Sequence, residues 1–218
     1  MAQLTAPTTP PSAAPTPDVS RLAGRSRTLE VAVLLSSVRP GRLAPTVGAW
    51  FTDQAAGRDD LRLTLVDPAS TPLDHPGADP ADPGVAVARA DLGERLAAAD
   101  AFIVITPEYN HSYPAALKHI LDSYRREWFA KPVGFVSYGG MSGGLRAVEH
   151  LRGVFAELHS VGVRDGVSLH GVQAADFAAG GRVAADPQVA VAARALLDQL
   201  AWWGRALRDA REIEPYAA

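Results

Sequence analysis

From Thr28 onward the chain alternates short, almost unbroken apolar runs with stretches of helical periodicity. Thr28–Ser36 (TLEVAVLLS), Ala101–Thr106 (AFIVIT) and Lys131–Tyr138 (KPVGFVSY) are apolar at nearly every position rather than every second one. A strand of that kind is covered on both faces, which is the condition of a parallel sheet wrapped in helices. Leu61–Val66 and Val161–Leu169 supply two shorter or less apolar strands. Helices are expected over Leu43–Ala56, Val87–Ala99, Pro114–Arg126, Gly143–His159 and Val189–Leu207. The last carries Ala193, Leu196, Leu200, Trp203 and Leu207 along one stripe. Strands alternating one-for-one with helices predict an α/β fold: a doubly wound, five-stranded parallel sheet of order 2-1-3-4-5 with helices on both faces.

The rest of the chain frames that body. Residues 1–20 hold five of the 17 prolines and only Leu4 and Val19 as apolar anchors, so 1–27 is read as a disordered arm. The predicted domain is 28–211, followed by a C-terminal tail, 212–218. Residues 67–86, with five prolines and two glycines, and residues 174–188 are expected to be loops. With 218 residues a single domain is expected. The absence of cysteine removes disulfides, thiolate metal sites and cysteine nucleophiles. A net charge of −3 disfavours general binding to nucleic acid or an anionic membrane. No run of 18 apolar residues is present, and the start lacks the pattern of a secretory signal. The expected location is cytoplasmic.

In a doubly wound sheet, ligands sit beyond the carboxyl ends of the strands near the switch point. Three loops therefore matter. After strand one, Ser36-Ser37-Val38-Arg39-Pro40-Gly41-Arg42 opens into a helix. Two hydroxyls, two guanidinium groups and a helix N-terminus suit a phosphate. The loop lacks both the Walker A and the dinucleotide glycine patterns. After strand three, Thr106-Pro107-Glu108-Tyr109-Asn110-His111-Ser112-Tyr113-Pro114 offers aromatic faces to a flat ring and a donor and acceptor at Asn110. Glu108 and His111 could serve as an acid/base pair, but no helix-spaced partner marks a metal site. After strand four, Ser137-Tyr138-Gly139-Gly140-Met141-Ser142-Gly143-Gly144 allows close backbone approach to a ligand.

The third loop also matches G-x-S-x-G, the nucleophile elbow of serine hydrolases, with Ser142 as nucleophile and Asp165 and His170 downstream. That reading leaves the first-loop arginines without a purpose. A single flavin mononucleotide uses all three loops: phosphate in the first, a flat face in the second and ring-edge hydrogen bonds in the third.

Ser37-Val38-Arg39 with Arg42, Pro107-Glu108-Tyr109-Asn110 leading into Tyr113-Pro114-Ala115-Ala116-Leu117-Lys118, and the glycine pairs 139–140 and 143–144 together resemble the NADPH-dependent FMN reductase family, which has the flavodoxin-like fold. The resemblance covers roughly residues 28–205. It implies that Ser37, Arg39 and Arg42, with Leu43 at the helix start, hold the FMN phosphate end. It implies that Pro107, Glu108, Tyr109 and Asn110 border the ribityl chain and ring, and that Tyr138, Gly139 and Gly140 line the ring edge. It further implies FMN as cofactor, NADPH or NADH as hydride donor, a flavin, quinone, azo or nitro acceptor, and a homodimer or homotetramer. The alternatives are a flavodoxin-like electron carrier that does not turn over NADPH, and the hydrolase built on Ser142. No side chain is expected to be an essential acid or base. His119, His150 and His159 are expected to face solvent or a subunit contact. Lys118, Arg125 and Arg126 form a positive helix face, either solvated or directed at the 2′-phosphate of NADPH.

Overall fold

The computed structural model describes residues 28–70, 79 and 81–217. The expected arm, most of the proline-rich stretch 71–80, and Ala218 lie outside the described residues. Five strands form one sheet: β1 (Leu29–Leu35), β2 (Leu61–Val66), β3 (Ala101–Pro107), β4 (Pro132–Gly139) and β5 (Val161–His170). Their order is β2-β1-β3-β4-β5 and every neighbouring pair is parallel, as the alternating pattern predicts. The helices are α1 (Ala44–Gln54), α2 (Pro83–Ala98), α3 (Ala115–Ser123), α4 (Leu145–Glu157), the one-turn α5 (Arg182–Ala185) and α6 (Pro187–Ile213).

The strands show why their runs are unbroken. Leu29, Val31, Val33 and Leu35 of β1 join Ala101, Ile103 and Ile105 of β3 in one core with α1 and α6. The intervening Ala32, Leu34, Phe102 and Val104 enter a second core with α2, α3 and α4. Successive side chains point to opposite faces, so two covered faces require apolar residues at both parities. β2 lies at the sheet edge, and three of its four central residues, Arg62, Thr64 and Leu65, are exposed.

The helix ends differ from expectation for local reasons. α2 begins at Pro83 rather than Val87, because the Asp82 carboxylate accepts from the Gly84 and Val85 amides and Pro83 needs no donor in the first turn. Asp186 and Pro187 repeat that device at the start of α6. α3 stops at Ser123 rather than Arg126. Tyr124 is extended there, and a 3-10 turn, Arg126–Trp128, buries Trp128 completely against Phe102 and Phe155. α6 runs six residues past Leu207 to Ile213, which takes Glu212 and Ile213 out of the expected 212–218 tail. Arg208 hydrogen-bonds the Thr28 carbonyl and Asp100, and Arg211 bonds the Ala130 carbonyl, which anchors the added turns. The expected loop 174–188 contains a 3-10 turn, Ala174–Phe177, and α5. Among the described residues no helix is long and apolar enough to cross a membrane.

Candidate functional site

β1, β3 and β4 end side by side, so the loops that follow them meet at the carboxyl edge of the sheet, beside the point where chain order reverses. In the first loop Ser36 turns inward, and both its amide and its hydroxyl donate to the Ile105 carbonyl of β3. Ser37 reaches the second loop, with 2.6 Å between its Oγ and the Tyr109 hydroxyl. Gly41 takes a left-handed φ of 67°, closing a turn in which the Arg42 amide bonds the Arg39 carbonyl. The two arginines have different surroundings. Arg42 is largely buried and bidentate on Asp67 at 2.8 and 2.5 Å, and it donates to the Ser37 carbonyl at 2.7 Å. Arg39 is exposed, its guanidinium carbon 3.6 Å from the centroid of the Tyr109 ring. Leu43 caps α1 without a side-chain hydrogen bond.

The second loop folds on itself. Tyr109 and Ser112 exchange backbone hydrogen bonds around Asn110 and His111, both at positive φ (49° and 74°). A two-residue turn of that hand favours Asn at its first corner. Pro107 is the last residue of β3, and the Glu108 amide donates to the Tyr138 carbonyl of β4. Burial, with a further contribution from Tyr109, pushes the Tyr138 phenol well above its usual range. The Tyr138 ring is packed in the α1/α6 core, with only 7% of it exposed.

The third loop is stitched to both neighbours. The Gly143 carbonyl accepts from Ser137 and Ser168, and the Gly139 carbonyl accepts from the Gly171 amide. The Ser142 hydroxyl donates to Glu108, which also accepts from the Arg146 amide at 3.3 Å and the Arg146 guanidinium at 3.1 Å. Glu108 is therefore an N-terminal cap for α4 supplied from another loop. Its carboxyl is held below the ordinary range by the Ser142 hydrogen bond, with Arg146 adding to it against the cost of burial. The helix start that the hydrolase reading needs is thus filled by a carboxylate. Ser142 faces Glu108, whereas the His170 ring contacts Ser168 and the Met141 carbonyl, and Asp165 is engaged by Gln199 and Arg164. Ser142 and His170 therefore do not pair, and the hydrolase alternative is not favoured.

Glu108→Gln is expected to destabilise the protein by about 1–2 kcal/mol at pH 7, since three charge-assisted bonds weaken beside a half-exposed arginine. The sign with pH follows from a lowered folded pKa. The carboxylate's contribution is complete above the unfolded value of about 4.3 and is lost as pH falls through the folded one. Urea melts of wild type and variant should therefore differ at pH 7 and converge in acid.

The structure brings the predicted residues of all three loops to one edge and adds partners that the sequence did not single out: Asp67, Arg146 and Ser168. Asp67 follows β2 directly and Arg146 follows the glycine run, but neither lies in a recognisable spacing. His111 is exposed, with its ring 6.3 Å from that of His150, and His150 contacts Ser112. Lys118 pairs with Asp122 at 2.5 Å within α3.

The fold and the convergent loops define a flavodoxin-like domain with an anion-suited first loop. Residues 29–174 match the NADPH-dependent FMN reductase family, and the chain belongs to that family. An NAD(P)H-dependent FMN reductase of Schizosaccharomyces pombe is 35% identical over 126 residues, covering 54% of this chain and 61% of that protein. The FMN-dependent NADPH-azoreductase of Staphylococcus aureus is 32% identical over 148 residues, 65% of this chain and 77% of that one. The first of these matches spans less than two thirds of the relative's length. The solved flavoenzyme NAD(P)H:(acceptor) oxidoreductase FerB from Paracoccus denitrificans superposes with a TM-score of 0.67 at 24% identity, over 82% of this chain and 98% of that one, and shares the fold.

Proposed function

We propose that the protein is an FMN-dependent NAD(P)H oxidoreductase. The observation that carries this reading is the convergence of the loops: the first touches the second through Ser37 and Tyr109, and the second holds the third through Glu108 and Ser142. The donor set fits the cofactor. Arg39 is exposed, and α1 starts without a side-chain cap, so its first amides and a guanidinium lie together where a phosphate would bind. At α4 the equivalent amides already face Glu108, which directs an anion to the first loop and away from the third. Gly140 has open space where a side chain would stand, as a ring edge approaching the backbone requires.

In this reading Ser37, Arg39 and the start of α1 at Leu43 hold the phosphate, and Arg42 keeps the loop in shape through Asp67. Tyr109, Pro107 and Asn110 border the chain and ring, and Gly139 and Gly140 lie along the ring edge, with Tyr138 buried behind them. Glu108 fixes the glycine loop. The chemistry supplied by bound FMN is two-electron transfer, hydride in from NADPH or NADH and electrons out to a flavin, quinone, azo or nitro acceptor. The protein's part is position and electrostatics. The name of the S. pombe relative supports the nicotinamide and flavin assignment, and that of the S. aureus relative supports an azo acceptor. A homodimer or homotetramer in the cytoplasm, without a nucleic-acid or membrane partner, completes the proposal, and the cysteine-free composition suits that compartment.

The test is an absorbance spectrum of the purified protein followed by anaerobic stopped-flow mixing with each nicotinamide. The expected result is a bound yellow flavin that bleaches with NADPH or NADH and recovers with quinone. A protein that stays colourless in excess FMN overturns the reading. Bound flavin that neither nicotinamide reduces leaves the carrier in its place.

A further inference from the structure

The amino edge of the sheet, roughly 25 Å from the loops just described by the length of β4, carries a second cleft of about 610 Å³. Its walls come from the end of α2, the turn before β4, and the last residues after α6. Among the described residues Arg126, Lys131 and Arg211 line it with one carboxylate side chain, Glu127, and Phe129 and Tyr216 form an aromatic side. The volume lies in the range of small-molecule sites.

The charged groups differ in how far they are already used. Lys131 is 6% exposed, and its Nζ donates to the carbonyls of Leu96 and Ala97, both at 2.8 Å, which close the C-terminal end of α2. An ammonium has three N–H donors, and the third has no hydrogen-bond acceptor among the described residues. Arg211 bonds the Ala130 carbonyl and lies 3.9 Å from Asp100, which Arg208 also engages. Glu127 is turned to the Arg125 amide. Arg126 is exposed and makes no ion pair among the described residues. On the aromatic side, the Tyr216 hydroxyl is 2.9 Å from His159 Nδ1, and its ring meets Phe129 edge-on at 6.1 Å. The Tyr216 ring is therefore held in place while about half of it stays exposed.

We propose that this cleft binds a small organic anion, a carboxylate or phosphate head on a flat apolar body, with the head at Arg126, Lys131 and Arg211 and the body against Phe129 and Tyr216. Among the described lining residues cationic side chains outnumber carboxylate side chains, which favours the negative head, and the pinned rings offer apolar contact to a flat group. The site is separate from the flavin loops, and the proposal does not depend on the reductase reading. One supporting property is the Lys131 amine, which burial and the neighbouring Arg211 charge lower to about 8, while Asp100 and Glu127 act in the opposite sense. A bound anion stabilises the ammonium form, so binding above that pH is accompanied by proton uptake.

The experiment is calorimetric titration of the full-length, flavin-loaded protein with 2-naphthoate and with phenyl phosphate. Inorganic phosphate and 2-naphthylmethylamine are the comparators. Either aromatic anion should bind with a Kd at or below about 1 mM; inorganic phosphate should bind more weakly, and the amine should give no heat. Arg126→Glu, an exposed charge reversal, should weaken the anion by about tenfold or more. Tyr216→Ser should weaken naphthoate more than inorganic phosphate. A carboxylate preference or a phosphate preference identifies the head group. No heat from either aromatic anion, or equal affinity in wild type and Arg126→Glu, overturns the proposal.

Discussion

Gly144→Ala is expected to lower the unfolding midpoint by about 6–12 °C. Gly144 precedes α4 with a φ of 85°, and a Cβ there would stand 2.7 Å from Ser137 Cβ and 2.9 Å from the Tyr138 amide nitrogen. A left-handed conformation costs a non-glycine residue roughly 1–2 kcal/mol. Overpacking against a β4 backbone that is hydrogen-bonded to both β3 and β5 adds roughly 1–3 kcal/mol. The sum is about 3 kcal/mol, which in a domain of this size shifts the midpoint by the stated amount. The loop cannot relieve the clash by moving outward, because the Gly143 carbonyl is held by Ser137 and Ser168 and Ser142 is held by Glu108. Gly140→Ala is the control. Open space surrounds that position, so its midpoint should stay within about 1 °C of wild type while flavin affinity falls. Thermal melts of the two variants check this. A Gly144→Ala protein melting with the wild type would remove the claim that the glycine loop is sterically fixed.

The physics that makes this loop rigid was only partly visible in the sequence. β1, β3 and β4 announce themselves because two covered faces demand apolar residues at every position, and that demand is local to each run. The parallel order follows from the connections. Helix starts were less legible where the cap falls inside a proline-rich stretch. Asp82-Pro83 and Asp186-Pro187 are capping signals, but the surrounding prolines and glycines read as loop. The length of α6 was obscured because its apolar stripe ends at Leu207, and Arg205, Arg208 and Arg211 carry no local signal of what they touch. They reach Asp60, Asp100 and the Ala130 carbonyl, partners more than 80 positions away. The site divides in the same way. Its location followed from three loops after three adjacent strands, whereas the ties between Ser142 and Glu108 and between Arg42 and Asp67 join residues 34 and 25 positions apart and leave no local pattern. What the sequence shows is which groups gather at the edge. Which of them face a ligand and which face one another is decided by packing.

That division produces the second large expected effect. Reading the first loop as a row of equivalent phosphate ligands would give Arg39→Ala and Arg42→Ala similar consequences, each near 2 kcal/mol or about 30-fold in FMN affinity. The structure separates them. Arg39 is exposed and rests on Tyr109, so its removal costs one charge-assisted contact and keeps that estimate. The Arg42 side chain is 15% exposed and neutralises an Asp67 carboxylate that is 28% exposed, while tying down the Ser37 carbonyl. Breaking a fully buried ion pair by removing one partner costs roughly 3–5 kcal/mol, and partial exposure places this one near the lower end. The loss also leaves Asp67 facing any bound phosphate, a like-charge repulsion absent from the Arg39 variant. Arg42→Ala should therefore weaken FMN by more than about 100-fold. In the double variant Arg42→Ala/Asp67→Asn the uncompensated carboxylate is gone, and affinity should recover by about tenfold. Fluorescence titration of the four proteins completes the cycle. If Asp67→Asn restores nothing in the Arg42→Ala background, Arg42 acts on the phosphate directly; if Arg42→Ala binds FMN as wild type does, the first loop does not hold the phosphate.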